Sequence, residues 1–324
     1  MAVTQLQHHI DVRADRLTGA IVKIYDDFSP IFNMIPFESN GDSMFYDTER
    51  VATLPVHGWR PFNAGYVESS GTTEVFREYL KTGGGEVRID RQFWNQKTIT
   101  KQTMMRAIAS VKGWDLAFFK GSPISDVNSM VGLYPRIGGN QLILNASGGG
   151  ALTLAKLNDL IDAVPFTRVQ EEGMKMGEGI QKVLLMRRTV RNKIDALMEA
   201  QTGSLRINYD DKDNFGRRVE SYRNAVIKVV EERGTGSSIL NYDEDPGDGT
   251  ADCTSIICAA MGGQETGLLR GLYRNQNGSK MMDVKRVDHL EAEPRGMIRW
   301  DGMYGIAYDE PRAVARLHGI TNAQ

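Results

Sequence analysis

Apolar positions along this chain switch between helical and alternating spacing, and each switch marks a predicted element. Ile10, Leu17, Ile21 and Ile24 recur near helical spacing until Ser29-Pro30 and Pro36 break the pattern, so the segment up to about residue 40 is expected to be a helical arm lying against something else. From Met44 to about Asp90 the pattern is extended. Phe45-Tyr46, Val51 to Leu54, Thr73 to Thr82 and Val87 to Ile89 flank a middle rich in glycine and proline, which predicts a long β-hairpin or loop. A helix fits 95–120, with Met104, Ile108, Val111 and Phe118 on one stripe that only Asp115 interrupts, and it ends at Gly121-Ser122-Pro123. Met104, Met105 and Phe118 follow a packing period and are expected in the core rather than around a cofactor.

A second lobe is predicted to begin after the turn-rich stretch 138–150, which surrounds a short strand at Leu142 to Leu144. Its first helix places Leu154, Leu157, Ile161 and Val164 on one face. A strand at Val183 to Met186, a helix at Val190 to Ala200, and strands at Ala225 to Val230 and Ser255 to Ala260 give it a mixed α/β pattern. The acidic loops Asn208 to Asn214 and Asp243 to Asp252 are expected to be exposed. The chain then returns to strands at Met281 to Val287 and Met297 to Tyr308, followed by Pro311 and a short helical Arg312 to Leu317. No internal repeat or low-complexity tract occurs. A length of 324 residues exceeds what one core usually organises, so two lobes, or one lobe with long excursions, are expected.

Composition changes the picture in one respect, the choice of partner. With 39 basic against 41 acidic side chains the formal charge is −2, and residues 1–30 set Arg13, Arg16 and Lys23 against Asp11, Asp15, Asp26 and Asp27. A protein that condenses nucleic acid needs clustered cations, so if this chain encloses DNA it is expected not to bind it strongly. No apolar run reaches the roughly 18 to 20 residues a bilayer needs, and the N-terminus lacks a signal-like apolar stretch, so folding in the cytosol is expected. Cys253 and Cys258 sit in an apolar run at a spacing that fits neither a redox pair nor a zinc knuckle, and they are predicted to be small core residues.

The search for reactive chemistry assigns no catalytic, cofactor-binding or metal-ligating residue. A calcium loop starting at Asp211 would need an oxygen ligand where Phe215 stands and a carboxylate where Tyr222 stands. Gly83-Gly84-Gly85 and Gly148-Gly149-Gly150 lack the Lys-Ser/Thr pair of a phosphate-binding loop and read as turns. The five histidines have no ligand spacing on one element apart from the terminal His8-His9 pair, and no Gly-x-Ser-x-Gly elbow occurs.

What remains is the extended region 48–91, where aromatic residues sit among balanced charges. Candidate contacts with a neighbouring chain are Trp59, Arg60, Phe62, Tyr66 and Glu68 in its middle, and Phe76, Arg77, Glu78, Tyr79 and Lys81 on its return. Trp59 and Phe62 could equally form a small core inside the hairpin.

The order of segments resembles the Hong Kong 97-type major capsid proteins of tailed double-stranded DNA bacteriophages. The resemblance is carried by Ala52-Thr53-Leu54-Pro55, Phe62 to Thr72 and Gly83 to Arg91, then by Phe119-Lys120-Gly121-Ser122-Pro123 with Gly132-Leu133, where Ser122 stands in place of a common Asp. It continues through Val183 to Arg191, Phe215 to Val219, Tyr304 to Tyr308 and Pro311 to Leu317. The resemblance implies an α+β fold in four parts: an N-terminal arm (1–43), an extended β-hairpin loop (44–91), a peripheral domain with a long spine helix (92–149 and 279–324), and an axial domain (150–278). It further implies pentamers and hexamers in an icosahedral shell that expands on maturation and encloses DNA without reading its sequence. A separate scaffolding protein, a portal and a decoration protein are the implied partners, the scaffold because the sequence opens directly at the arm. Covalent linkage between copies would need a loop lysine, and Lys81 is the sole lysine between Thr48 and Arg91; its amine would require a dry pocket and a nearby carboxylate. An encapsulin-like compartment is the alternative within the same resemblance, and a two-lobed α/β enzyme is the alternative outside it.

Overall fold

Asn95 and Gly121 bound the longest helix, and the remaining elements arrange themselves around it in two sheets and a hairpin. The computed structural model describes residues 16–32, 34–165, 181–202, 208–212, 218–223, 225–231, 239–263, 266–275 and 281–322. In chain order the first half comprises α1 (Arg16–Phe28), β1 (Phe37–Ser39), β2 (Phe45–Thr53), β3 (Thr72–Tyr79), β4 (Lys81–Asp90), α2 (Gln96–Lys120), β5 (Leu142–Leu144) and α3 (Leu154–Asp162). The second half comprises β6 (Gln181–Met186), α4 (Arg188–Thr202), β7 (Asn208–Lys212), β8 (Arg218–Tyr222), β9 (Ala225–Val229), β10 (Cys253–Met261), β11 (Arg270–Tyr273), β12 (Asp283–Val287), β13 (Arg295–Ala307) and β14 (Val314–Thr321). Residues 1–15, with Ile10 of the expected arm, and residues 213–217 of the rejected calcium loop lie outside the described residues.

Helix α2 begins where the Asn95 side chain accepts from the Thr98 amide at 2.9 Å, and it ends at Gly121, where an added Cβ would run into the Ala117 and Met130 carbonyls. Its buried side is Ile99, Thr103, Ala107, Val111, Trp114 and Phe118, which is rotated from the stripe expected from the sequence. Val111 and Phe118 are buried as expected, whereas Met104 and Met105 face water. The interrupting Asp115 is buried because the Ser29 hydroxyl at the end of α1 donates to it at 2.5 Å. Around that bond Tyr25, Phe32, Phe37, Trp114 and Phe118 form a ring cluster with centroids 4.7 to 6.0 Å apart.

Strand β13 organises a five-stranded sheet: β4 pairs along one edge, and β12 and β11 share the other, with β1 beyond β11. The Gly83-Gly84-Gly85 run lies inside β4 and is not a turn. A side chain at Gly84 would meet the Trp300 carbonyl, and one at Gly85 would lie 2.5 Å from the Trp300 ring, so glycine lets β4 and β13 close under α2. Gly148 and Gly149 do turn the chain, with φ of +72° and +79°.

The second sheet has seven strands in the order β5-β14-β10-β6-β9-β8-β7, and its β10 is buried at every position. Cys253 and Cys258 are buried there as free thiols, and burial pushes the Cys258 thiol up to about 12. Two expectations are corrected in this sheet. Residues 208–212 are strand rather than loop, and residues 314–321 are strand rather than helix, paired to β10 on one side and to β5 on the other. Strands 314–321 and 142–144 lie in the seven-stranded sheet, and 270–273 lies in the five-stranded one.

Candidate intersubunit surface

Strands β2 and β3 pair only with each other, from Phe45 opposite Tyr79 to Thr53 opposite Thr72, and carry the loop 54–71 at their far end. A lone two-stranded hairpin is marginal in water, so something must hold it. Period-two alternation separates its faces. One face is tied to the body: Tyr46 accepts from Arg270 Nη2 at 2.6 Å, Arg50 Nη2 donates to the Tyr308 carbonyl at 2.5 Å, and Arg136 donates to Glu78. Arg50 also lies over the Phe76 ring at 4.1 Å. Arg270 is wholly buried and is held further by Asp309 at 2.9 Å and Glu38 at 3.4 Å, which makes it a fixed anchor.

The other face carries Phe45, Asp47, Val75, Arg77 and Tyr79 outward. Arg77 forks onto Asp47 at 2.7 and 2.8 Å and covers the Phe45 ring at 4.4 Å. That hydrogen-bonded pairing holds the Asp47 carboxyl below its usual range. Phe45, Val75 and Tyr79 remain exposed beside the pair.

At the tip, Trp59 is 93% exposed and Phe62 is 101% exposed, so they form no small core inside the hairpin. Tyr66 is exposed as well, with Arg60 over its ring at 5.1 Å and donating to the Ala64 carbonyl at 2.9 Å, while Glu68 is exposed nearby. The ten sequence candidates therefore divide. Trp59, Arg60, Phe62, Tyr66 and Glu68 gather at the tip, and Arg77 and Tyr79 lie on the outward face. Phe76 and Glu78 sit on the body-facing side, and Lys81 turns inward to donate to the Val127 carbonyl at 2.8 Å. The pocket that Lys81 lines has no carboxylate among its lining residues. Sequence reasoning missed Phe45, Val75, Leu54, Val56 and Val67, all exposed. The alternation 75/77/79 opposite 45/47/49 was the signal that could have found the first two.

Among the described residues no group of three or more His, Cys, Asp or Glu is placed to hold a metal ion, and no helix is long and apolar enough to cross a membrane. No family model matches the sequence, and no curated protein matches it significantly. Solved structures do match. The holo-SrpI encapsulin complex of Synechococcus elongatus PCC 7942 superposes with a TM-score of 0.62 at 12% identity, over 91% of this chain and 88% of that one. The head of Helicobacter pylori bacteriophage KHP40 matches with a TM-score of 0.56 at 10% identity, and the capsid of a native GTA particle with 0.57 at 11%, each over 90% of both chains. This chain has the Hong Kong 97-type capsid fold. The β2–β3 hairpin stands as the extended loop of that fold and α2 as its long spine helix.

A half-buried polar clasp ties the segment just past the spine helix to the seven-stranded sheet. Tyr134 donates to Glu244 at 2.6 Å, Arg316 of β14 donates to the same carboxylate at 2.8 Å, and the Arg316 guanidinium lies 3.6 Å from the Tyr134 ring centre. Ser255 joins by donating to Glu244 and accepting from Arg316.

Proposed function

We propose that this chain is the major capsid protein of a tailed double-stranded DNA bacteriophage, a structural protein that assembles through pentamers and hexamers into an icosahedral head. The observation that carries this reading is the outward face and tip of the extended loop, which leave Phe45, Trp59, Phe62, Tyr66, Val75 and Tyr79 in water in the single chain. Apolar surface of that extent is characteristic of a covered interface, and closed symmetric assembly is the general way such surface is buried. In the proposed shell the loop lies over the peripheral domain of an adjacent copy, and axial domains meet at the centres of the pentamers and hexamers. The shell forms as a precursor in the host cytoplasm with a separate scaffolding protein, expands as DNA enters through a portal, and ends as the virion head, with a decoration protein as a further partner.

A second reading, an encapsulin-like compartment around protein cargo, is favoured by the encapsulin match at a TM-score of 0.62. Shell contents separate the two: nuclease-protected DNA supports the phage head, and a protein cargo without DNA supports the compartment. The loop is tested by Trp59→Ala combined with Phe62→Ala. Because both side chains are exposed, unfolding stability should change by less than about 0.5 kcal/mol while shell yield in sedimentation falls sharply. Unchanged shell yield would contradict the docking role of the loop.

A further inference from the structure

Trp300 accounts for two of the three glycines in β4, Gly84 and Gly85, by its carbonyl and its ring. It does not account for Gly83, where an added Cβ would rest at an ordinary 3.5 Å from the Tyr304 ring. Gly113 in α2 is a parallel case: a Cβ there would find nothing within 4 Å. Neither glycine has a positive φ, and glycine is unfavourable in a helix interior, so neither packing nor backbone geometry calls for it at these two positions.

What Gly83 and Gly113 share is a cavity of about 310 Å³ between α2 and the start of β4, which both line. Arg106, Ala109, Ser110, Gly113 and Ala117 form its helix side and fall within about 100° of arc at 100° per residue. Tyr25, Trp114, Met130 and Tyr304 add aromatic and apolar wall. The charged groups at the wall are Lys81 and Arg106, and no carboxylate lines it. Neither cation has an ion pair among the described residues; Lys81 gives one hydrogen bond to the Val127 carbonyl and keeps further N–H donors. Asp115 and Asp301 act on Tyr25 and Tyr304 from outside the lining, and each has its own partner, Ser29 and Arg299. Two of the wall residues, Trp114 and Tyr304, also hold buried donors without a hydrogen-bond partner.

We propose that this seam between α2 and β4 is a binding site for a small aromatic carboxylate, with its ring against the aromatic and small side chains and its carboxylate at Lys81 and Arg106. The volume lies at the lower end of the roughly 300 to 1,000 Å³ typical of ligand sites, and the mixture of apolar wall with few polar groups is also typical. The chemistry of the wall selects the ligand class. An inorganic anion would leave the aromatic wall unused, and a neutral ring would leave both cations without counter-charge. The site is built within one chain, so it does not rest on the shell reading.

The test is calorimetric titration of the full-length chain with 2-naphthoate as the probe. The parent should bind it saturably, and the neutral 2-naphthamide and inorganic phosphate should each bind at least roughly tenfold more weakly. Arg106→Gln should weaken 2-naphthoate by a similar factor, whereas Lys101→Gln, on another side of α2, should bind like the parent. Gly113→Leu, whose side chain enters the cavity, should abolish binding. Gly113→Ala should raise the denaturant midpoint, since the helix gains and no atom of the chain is displaced. Absence of saturable binding by the parent at millimolar 2-naphthoate would overturn the proposal, as would undiminished binding by Gly113→Leu or Arg106→Gln. Equal affinity for the amide would overturn it in favour of a plain apolar slot, and equal affinity for phosphate in favour of a plain anion site. A lowered midpoint in Gly113→Ala would overturn the assignment of that glycine to the cavity.

Discussion

Arg50, Tyr46 and Glu78 decide which side of the extended loop meets water, because each ties the same hairpin face to a fixed partner in the body: the Tyr308 carbonyl, Arg270 and Arg136. Trp59 and Phe62 are then exposed by position rather than by local chemistry, and for that reason the sequence left them open between a small core and a docking surface. His318 supplies a prediction at the same scale. Burial first, and then the charge of Arg316, lower its pKa below the usual imidazole value, against a smaller opposing effect of Glu244. Below about pH 6.5 the unfolded chain binds the proton more readily than the folded one, so stability is fully present above that pH and declines as pH falls towards the folded value. Urea unfolding between pH 7 and 5 should show this decline, and His318→Gln should flatten it; an identical slope in the variant would contradict the assignment. Met104 and Met105 show how residue-scale reading fails. Both fit a helical stripe on paper, but the buried arc is centred on Thr103, Ala107 and Trp114, set by the close approach of β4 through Gly85 rather than by hydrophobicity along the helix.

Strand β14 was expected as a helix, as β7 was expected as a loop. Ala313, Ala315, Arg316 and Leu317 favour helix locally, but pairing with β10 and β5 on both edges, together with burial of Val314, Ala315, Leu317 and Ile320, overrides that preference. The long helix, α3 and the buried strand β10 were legible because their apolar periods extend over many residues. The glycine run in β4 was not, since its reason is a neighbour distant in sequence. Gly85→Ala should cost about 1 to 3 kcal/mol by overpacking against the Trp300 ring and Ser110, measured as a lower denaturant midpoint. The polar clasp gives a comparable effect. Arg316→Ala leaves the half-buried Glu244 with Tyr134 and Ser255 but without its cation and should cost about 1 to 3 kcal/mol. A loss under 1 kcal/mol in either variant would mean that the local packing relaxes freely.

At the scale of the whole molecule, the arrangement is two sheets joined by a clasp, a spine helix packed on the five-stranded sheet, and a hairpin whose outward Phe45, Val75 and Tyr79 and tip residues Trp59 and Phe62 are exposed. The sequence carried the fold class because segment order and turn chemistry extend over nearly its whole length. It could not carry the sheet membership of the C-terminal strand, since that depends on three-dimensional neighbours. Electron microscopy of the purified full-length chain, with salt varied and scaffold added, tests the central claim most directly. Closed icosahedral shells with pentameric and hexameric clusters, in which the extended loop of each copy covers a neighbouring peripheral domain, are the expected result. A folded protein that stays monomeric under all of those conditions would contradict it.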